Sequence, residues 1–301
     1  MKKTAKAAFA VLILLSFVLS AVSCGGKRKF SRTDVTVFDT ETVITGYDTS
    51  EKSFNEKADA VTELLREYHK LYDIYNEYEG QNNLMTVNLC AGKEPVKVDE
   101  RIIDLIEFSK EMYVLTDGKT NIAMGSVTAI WHEYREAGVA LPSAEELLRA
   151  EHHTDIENII CDREKDTVYL ADPEMSLDVG AVAKGYAAEK AAQMIEEKGW
   201  TNIALSVGGN IRTVGAKGDG TPWITGIQNP DLSSKEAVAL SVSLENLSCV
   251  TSGSYQRYYE LDGVRYHHII DPETLFPENR YLSVSVVCAD SGKADALSTA
   301  L

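Results

Sequence analysis

Three groups of residues in the second half of the chain have the types and spacings to act on an anionic substrate. In Ala294-Asp-Ala-Leu-Ser-Thr299, Asp295, Ser298 and Thr299 stand at i, i+3 and i+4. On a helix their oxygens share one face. A carboxylate with two hydroxyls is a hard-oxygen set suited to Mg²⁺, which keeps further positions for phosphate oxygens and water; the alternative is a capping, solvated face. His267 and His268 precede Ile-Ile-Asp271-Pro272. On a strand they point to opposite faces. One can then serve as a base beside Asp271 while the other packs or meets solvent, and a hydrogen-bonded structural histidine is the alternative for either. Thr251-Ser-Gly-Ser-Tyr-Gln-Arg257 is a hydroxyl-rich glycine turn, able to hold phosphate or ribose or simply to close a hairpin.

The stretch that must position these groups is Ser176-Leu-Asp-Val-Gly-Ala-Val-Ala-Lys-Gly-Tyr186. Leu177 and Val179 alternate with Ser176 and Asp178, which predicts the end of a half-buried strand. Gly180 allows a turn. From Val182 the period becomes helical, with Tyr186, Ala187, Ala191, Met194 and Ile195 on one face and Gly199 as the stop. A strand turning through glycine into a helix presents free N–H groups and a positive dipole end. Asp178 and Lys184 flank that end, so a phosphate or pyrophosphate suits it; a packing turn is the alternative.

Upstream, residues 34–47 alternate as a strand or hairpin. A capping box at Ser53-Phe-Asn-Glu56 opens a helix whose face carries Phe54, Ala58, Val61, Leu65, Tyr68, Tyr72 and Tyr75. Further helices are predicted after Asp99, over residues 127–135 and after Ser143. Strands are predicted over 159–161, 167–170, 203–207, 211–214, 223–227, 238–244, 265–270 and 283–287. Helices come first and a β-rich half follows, so the pattern reads as one compact α+β unit with two lobes.

Composition narrows the partners. The formal net charge is −16 over 301 residues, which sets the protein against nucleic acid and requires local Lys or a divalent cation wherever a phosphate ester binds. Lys2, Lys3 and Lys6 precede an apolar run over residues 7–20, too short for a comfortable membrane span, ending in Ala21-Val-Ser-Cys24-Gly-Gly. Residues 1–23 resemble a bacterial lipoprotein signal, with Cys24 as the lipidated mature N-terminus and residues 24–33 as a tether. Ala21 stands where such signals usually have Leu, and an ordinary signal peptide with an incidental cysteine is the alternative. Removing the signal takes three lysines and no acid, moving the charge from −16 to −19. The other four cysteines form no C-x-x-C pair and read as buried free thiols ahead of disulfides or zinc ligands.

Asp178-Val-Gly-Ala-Val-Ala-Lys-Gly-Tyr186, Val207-Gly-Gly-Asn210, Thr251-Ser-Gly-Ser-Tyr255, His268-Ile-Ile-Asp-Pro272 and Ala294-Asp-Ala-Leu-Ser-Thr299 occur in the order and spacing of the ApbE family. The chain resembles that family from about residue 35 to 301, most strongly from Ser176 onward. The resemblance implies a two-lobed, T-fold-like α+β architecture with a mixed or antiparallel β core and flanking helices. It implies FAD bound in a cleft with Mg²⁺, and FMN transferred to a Thr or Ser of a target flavoprotein with release of AMP. It also implies an exported lipoprotein, and targets that are membrane subunits of redox-driven ion pumps. By motif position Asp178 and Lys184 contact FAD. The main-chain oxygen of Ala181 and the side chains of Asp295 and Thr299 hold the metal, with Ser298 nearby.

By the same resemblance Thr120, Asn121 and Ile122 match a flavin-contacting run in which Asn121 replaces an acid. Phe38 stands where many members have Met. Tyr75 matches a flavin-contacting Tyr, with Tyr78 in the polar loop beyond it as the alternative. Ile269 touches the adenine side and His268 is the base. Leu275 stands where the family has Gly, and family members continue beyond the position of Leu301 through the rest of a helix and another strand. Two other readings use the same motifs: an FAD pyrophosphatase with water as acceptor, and a flavin-binding surface lipoprotein without catalysis. Pure binding needs neither base nor metal, so the Asp295/Thr299 pair argues against it.

Overall fold

The computed structural model describes residues 26–255 and 257–301; Cys24 and the signal-like run lie outside the described residues. The chain opens with a hairpin of β1 (Arg28–Val37) and β2 (Thr40–Asp48). Val37 pairs with Thr40, leaving Phe38 and Asp39 as a two-residue turn with φ of 55° and 49°. Two left-handed residues are what a type I′ hairpin turn needs. Residues 28–33, expected as tether, are strand: Arg28 already pairs with Asp48.

Helix α1 (Glu51–Tyr72) follows and buries Phe54, Ala58, Val61, Leu65, Tyr68 and Tyr72, the face anticipated. Its cap is Ser50, whose hydroxyl accepts from Ser53 N at 3.2 Å, because the Ser53 hydroxyl is turned to Asp48 Oδ2 at 3.0 Å. The helix ends at Tyr72 with Asp73 as its C-cap, so Tyr75, expected on its face, lies beyond it. Asn83 caps a short unanticipated α2 (Leu84–Leu89) in a reciprocal capping box with Thr86. Helices α3 (Glu100–Leu115), α4 (Gly125–Ala137) and α5 (Ala144–Glu151) come next, with Asp99 and Ser143 capping α3 and α5. A small sheet of β3 (Val96–Lys97), β4 (Ile159–Asp162) and β5 (Thr167–Leu170) has the order β3-β5-β4.

After α6 (Ala183–Glu197) come β6 (Ile203–Val207), β7 (Asn210–Val214), β8 (Trp223–Gln228), β9 (Val238–Leu244), β10 (Ser248–Gly253), β11 (Tyr258–Leu261), β12 (Val264–His267) and β13 (Ser283–Cys288). The last described helix is α7 (Ser291–Ala300). The main sheet has six strands in the order β1-β2-β6-β7-β10-β13, antiparallel at every pairing. Its core packs α1 and α6 against it, and α7 lies on β10 and β13. A second cluster gathers Val127, Trp131, Leu147, Tyr259 and Leu275 around α4, α5 and the β11–β12 hairpin, which gives the two lobes. Among the described residues no helix is long and apolar enough to cross a membrane. Cys90, Cys161, Cys249 and Cys288 are free thiols, but only Cys249 is buried and the other three are half-buried.

Three sequence expectations change here. Residues 176–179 belong to no strand or helix. Leu177 N donates to Asn88 Oδ1 (2.7 Å), Asn88 Nδ2 donates to the Leu177 carbonyl (3.0 Å), and Asp178 N donates to the Ile122 carbonyl (2.8 Å). Alternation reports a chain with one buried side, Leu177 and Val179 here, and says nothing of which groups complete its hydrogen bonds. Conversely, residues 251–253, read as a turn, are the end of the interior strand β10, with Ser252 opposite Val284. The two histidines also divide differently from a continuous strand over 265–270, since β12 ends at His267.

Candidate functional site

The site is built where α6 starts against α7. Val182, the N-cap of α6, has no capping side chain, so the helix's free N–H groups go elsewhere. One of them, Gly185 N, donates to Asp295 Oδ2 of α7 at 2.8 Å. Only glycine permits that approach: a Cβ on Gly185 would stand 2.4 Å from the Ser291 carbonyl oxygen and 2.5 Å from Asp295 Cβ. Asp295 is 4% exposed. Burial raises its pKa, against the lowering effects of Lys184, the Gly185 N–H and Asn210. The Asn210 amide, itself buried, acts on this carboxylate although its Nδ2 makes no hydrogen bond of ordinary geometry. A two-residue turn places it there, since Gly208 and Gly209 adopt φ of 58° and 90° between β6 and β7.

One helical turn on, the expected hydroxyls join Asp295. Ser298 Oγ and Thr299 Oγ1 each lie 3.1 Å from the Asp295 carbonyl oxygen, donating to it. Ser252 Oγ of β10 stands 2.8 Å from Ser298 Oγ and 3.2 Å from Thr299 Oγ1. Ser252 was legible only as part of a hydroxyl-rich turn; its pairing with β13 is what aims it at α7. No group of three or more His, Cys, Asp or Glu among the described residues is placed to hold a metal ion. The donor set nonetheless fits a hard cation: one buried carboxylate held by a neutral N–H, and hydroxyls that can turn towards a metal.

The histidines separate cleanly. His267 is buried, with Nε2 donating to the Glu278 carbonyl (2.7 Å) and Nδ1 accepting from Ile269 N (3.2 Å), which makes it the packed member of the pair. His268 is exposed as a residue, with its imidazole set near the charges of Arg257 and Lys184. Its Nδ1 lies 3.2 Å from the Arg257 carbonyl oxygen, and a carbonyl only accepts, so Nδ1 carries the proton and Nε2 keeps a lone pair. Desolvation in the cleft, with the charges of Arg257, His267 and Lys184, pushes its pKa down to about 4 and holds it neutral at pH 7. Lys184 Nζ donates to the Gly180 carbonyl at 3.2 Å, and its positive charge lowers the pKa of both His268 and Asp295. Asp271 does not assist His268; it pairs with Lys119 at 2.9 Å.

Asp178 accepts from Thr128 Oγ1 and Gly180 N, each at 2.8 Å. Tyr75 is 62% exposed, with its ring centroid 5.9 Å from that of His132. Desolvation of the phenol, then the charge of Asp178, raises the Tyr75 pKa, with Arg135 and Arg257 opposing. Tyr78 is committed elsewhere, its hydroxyl donating to Asp73 Oδ2 at 2.8 Å. The side chains of Thr120, Asn121 and Ile122 are turned into the protein. Thr120 Oγ1 donates to the Ala296 carbonyl (2.9 Å), the Asn121 amide accepts from Ala123 N and donates to the Thr154 carbonyl (both 2.9 Å), and Ile122 is core. Any part these three play towards a ligand falls to the main chain.

Ile269 lines a cavity of about 120 Å³ with Ser252, Asp271, Ser298 and Thr299, while Asp178, Lys184 and Tyr75 stand outside it. Leu275 adopts the glycine-like conformation that the resemblance implies, with φ of 61°. Its side chain is buried in the second lobe and its carbonyl accepts from Trp131 Nε1 at 2.8 Å, which offsets the strain.

Residues 35–301 match the ApbE family. The chain is 31% identical over 304 residues to the FAD:protein FMN transferase of Escherichia coli (strain K12), covering 97% of this chain and 86% of that protein. It is 32% identical over 305 residues to the FAD:protein FMN transferase of Treponema pallidum (strain Nichols), covering 96% and 83%. Among solved structures it is similar to the ApbE protein of Thermotoga maritima (30% identity, TM-score 0.79) and to the flavin transferase ApbE of Vibrio cholerae (25% identity, TM-score 0.76). Each of those comparisons covers 91% of this chain and 86% of the other.

Proposed function

The chain belongs to the ApbE family, and on that premise we propose that it works as an FAD:protein FMN transferase, moving FMN from FAD to a Thr or Ser hydroxyl of a target flavoprotein and releasing AMP. The observation that carries this reading is the contact of α6 with α7: next to Lys184, Gly185 N donates to the buried Asp295 carboxylate at 2.8 Å, with the Ser298 and Thr299 hydroxyls one helical turn on.

In this reading Lys184 and the uncapped start of α6 bind the pyrophosphate. Asp178 and Tyr75 meet the flavin end together with Phe38 and the main chain of residues 120–122, and Ile269 meets the adenine side. Asp295 and Thr299, with Ser298 nearby and the carbonyl of Ala181, would hold Mg²⁺, which when bound supplies positive charge to offset that of the phosphates. His268 Nε2 takes the proton of the acceptor hydroxyl. The hydroxyl oxygen bonds to the FMN phosphorus, and the bond from that phosphorus to the bridging oxygen breaks with its electron pair leaving on AMP. A Thr hydroxyl is a poor nucleophile at neutral pH, so the base and the charge neutralisation are what the site adds.

Location and target are part of the proposal. The lipoprotein-like run ending at Cys24 supports an exported protein anchored by lipid on the outer side of the cell membrane, where a membrane redox-pump subunit is the acceptor. The test is incubation of the protein with FAD, Mg²⁺ and a Thr-bearing acceptor, followed by mass spectrometry. The acceptor should gain the mass of FMN through an ester as AMP appears. AMP accompanied only by free FMN would establish hydrolysis instead.

A further inference from the structure

The loop that follows α1 carries a buried acid, Asp73, that the chemistry above does not use. Its two oxygens serve different neighbours. Oδ1 accepts from Tyr75 N (2.7 Å) and Asn76 N (3.0 Å), fixing the backbone that presents Tyr75. Oδ2 accepts from Asn76 Nδ2 (3.0 Å) and from the Tyr78 hydroxyl (2.8 Å).

The chain of contacts continues to the β1–β2 turn. Tyr78 Oη lies 3.5 Å from His69 Nε2, the longest link, and His69 Nδ1 lies 3.1 Å from Phe38 N. Directions follow from one fixed point: a backbone N–H can only donate, so Nδ1 of His69 is the acceptor and a neutral ring carries its proton on Nε2. That proton faces the oxygen of Tyr78, whose own proton is given to Asp73. Each link then has one donor and one acceptor, running from the Phe38 N–H through His69 and Tyr78 to the Asp73 carboxylate, with no conflict. The His69 ring also packs edge-on to Phe38, centroids 5.7 Å apart. Phe38 needs such support, because a bulky residue at φ 55° is strained.

We propose that Asp73, Tyr78 and His69 form a positioning relay that sets Phe38 and Tyr75 together as the two aromatic walls presented to the flavin. The proposal rests on the reading of Phe38 and Tyr75 as flavin-facing. It gives Tyr78 a role distinct from ligand contact: its hydroxyl is the middle link.

The experiment measures FAD affinity by fluorescence quenching, KM and kcat for transfer, and thermal midpoint, on the full chain. Tyr78→Phe deletes one oxygen, and His69→Leu deletes the acceptor for Phe38 N. Each should weaken FAD binding by about three- to tenfold, the worth of one net hydrogen bond, with the loss in KM for FAD and kcat held at saturation. His69→Asn, whose Oδ1 can take the Phe38 N–H, should recover most of the affinity lost in His69→Leu. In a Phe38→Ala background, Tyr78→Phe should add little further loss. Independent, additive losses would overturn the relay, as would a lowered thermal midpoint with unchanged FAD affinity. If Phe38→Ala alone leaves affinity unchanged, the flavin-facing reading of Phe38 fails and the relay's function with it. If Phe38→Ala weakens binding and Tyr78→Phe does not, only the relay fails.

Discussion

Residue by residue, the catalytic reading depends on which atoms are already occupied. His268 gives its Nδ1 proton to a carbonyl and keeps Nε2 free, and its pKa is lowered to about 4. The base form exists above that value, so transfer kcat/KM should hold from pH 7 down past 6.5 and fall only as the pH nears 4. A His268-dependent inflection at 6.5 would count against the assignment. His268→Ala should lower the transfer rate by about 10²–10⁴-fold with FAD affinity nearly intact. Stability follows the same sign. His267 and His268 both have folded pKa values below the unfolded 6.5, so the unfolded chain takes protons first. Stability from keeping them neutral is present above pH 6.5 and is lost as the pH falls from there towards the folded values. Asp295→Asn removes the one formal negative charge of the proposed cation site. The Mg²⁺ concentration needed for transfer should rise steeply while FAD affinity, measured by quenching, falls less; an unchanged Mg²⁺ dependence would remove Asp295 from the site.

Between elements, the contact of α6 with α7 decides whether that carboxylate faces anything. Gly185 makes the contact possible, and a buried network fixes it. Arg212 of β7 donates to Glu189 of α6 at 2.8 and 3.2 Å, and Glu189 Oε2 also accepts Ser291 N at the start of α7 (2.9 Å). One carboxylate thus ties the sheet to both helices. Gly185→Ala should cost about 1–3 kcal/mol through overpacking, read by denaturant unfolding, and should raise the Mg²⁺ concentration needed for transfer by displacing Asp295. Arg212→Met should cost about 3–5 kcal/mol, because it leaves a buried charge unpaired. Adding Glu189→Leu should not restore wild-type stability, since Ser291 N then loses its acceptor; full recovery in the double variant would show that the network only pairs charges.

For the molecule as a whole, the proposed anchor and the acidic body act together. A body of charge −19 after processing is repelled by an anionic membrane surface, so retention there should depend on Cys24. The protein should fractionate with membranes, and Cys24→Ala should release it or block its processing. Equal membrane partitioning of both forms would count against lipidation. The site draws residues from the segment after α1, from α6, β10 and α7, and from the segment after β12, so partial unfolding of either lobe should abolish transfer.

Motif spacing determined a good deal alone. The i, i+3, i+4 set at Asp295, Ser298 and Thr299 lies on one stretch of helix, and helical periodicity is local, so it was readable without partners. The same holds for the buried stripe of α1 and for the helix after Gly180. The resemblance carried by five ordered motifs determined the family. Tertiary structure alone decided what the atoms of those residues are free to do. It turned Thr120, Asn121 and Ile122 inward, gave Tyr78 to Asp73 and left Tyr75 exposed. It made residues 251–253 a strand end that aims Ser252 at α7, left residues 176–179 outside any sheet, and set His267 in the interior with His268 at the rim. The reason is one of range. Periodicity and capping follow from neighbours within a few positions, whereas burial and hydrogen-bond partners come from segments tens to more than a hundred residues away, such as Gly185 and Asp295.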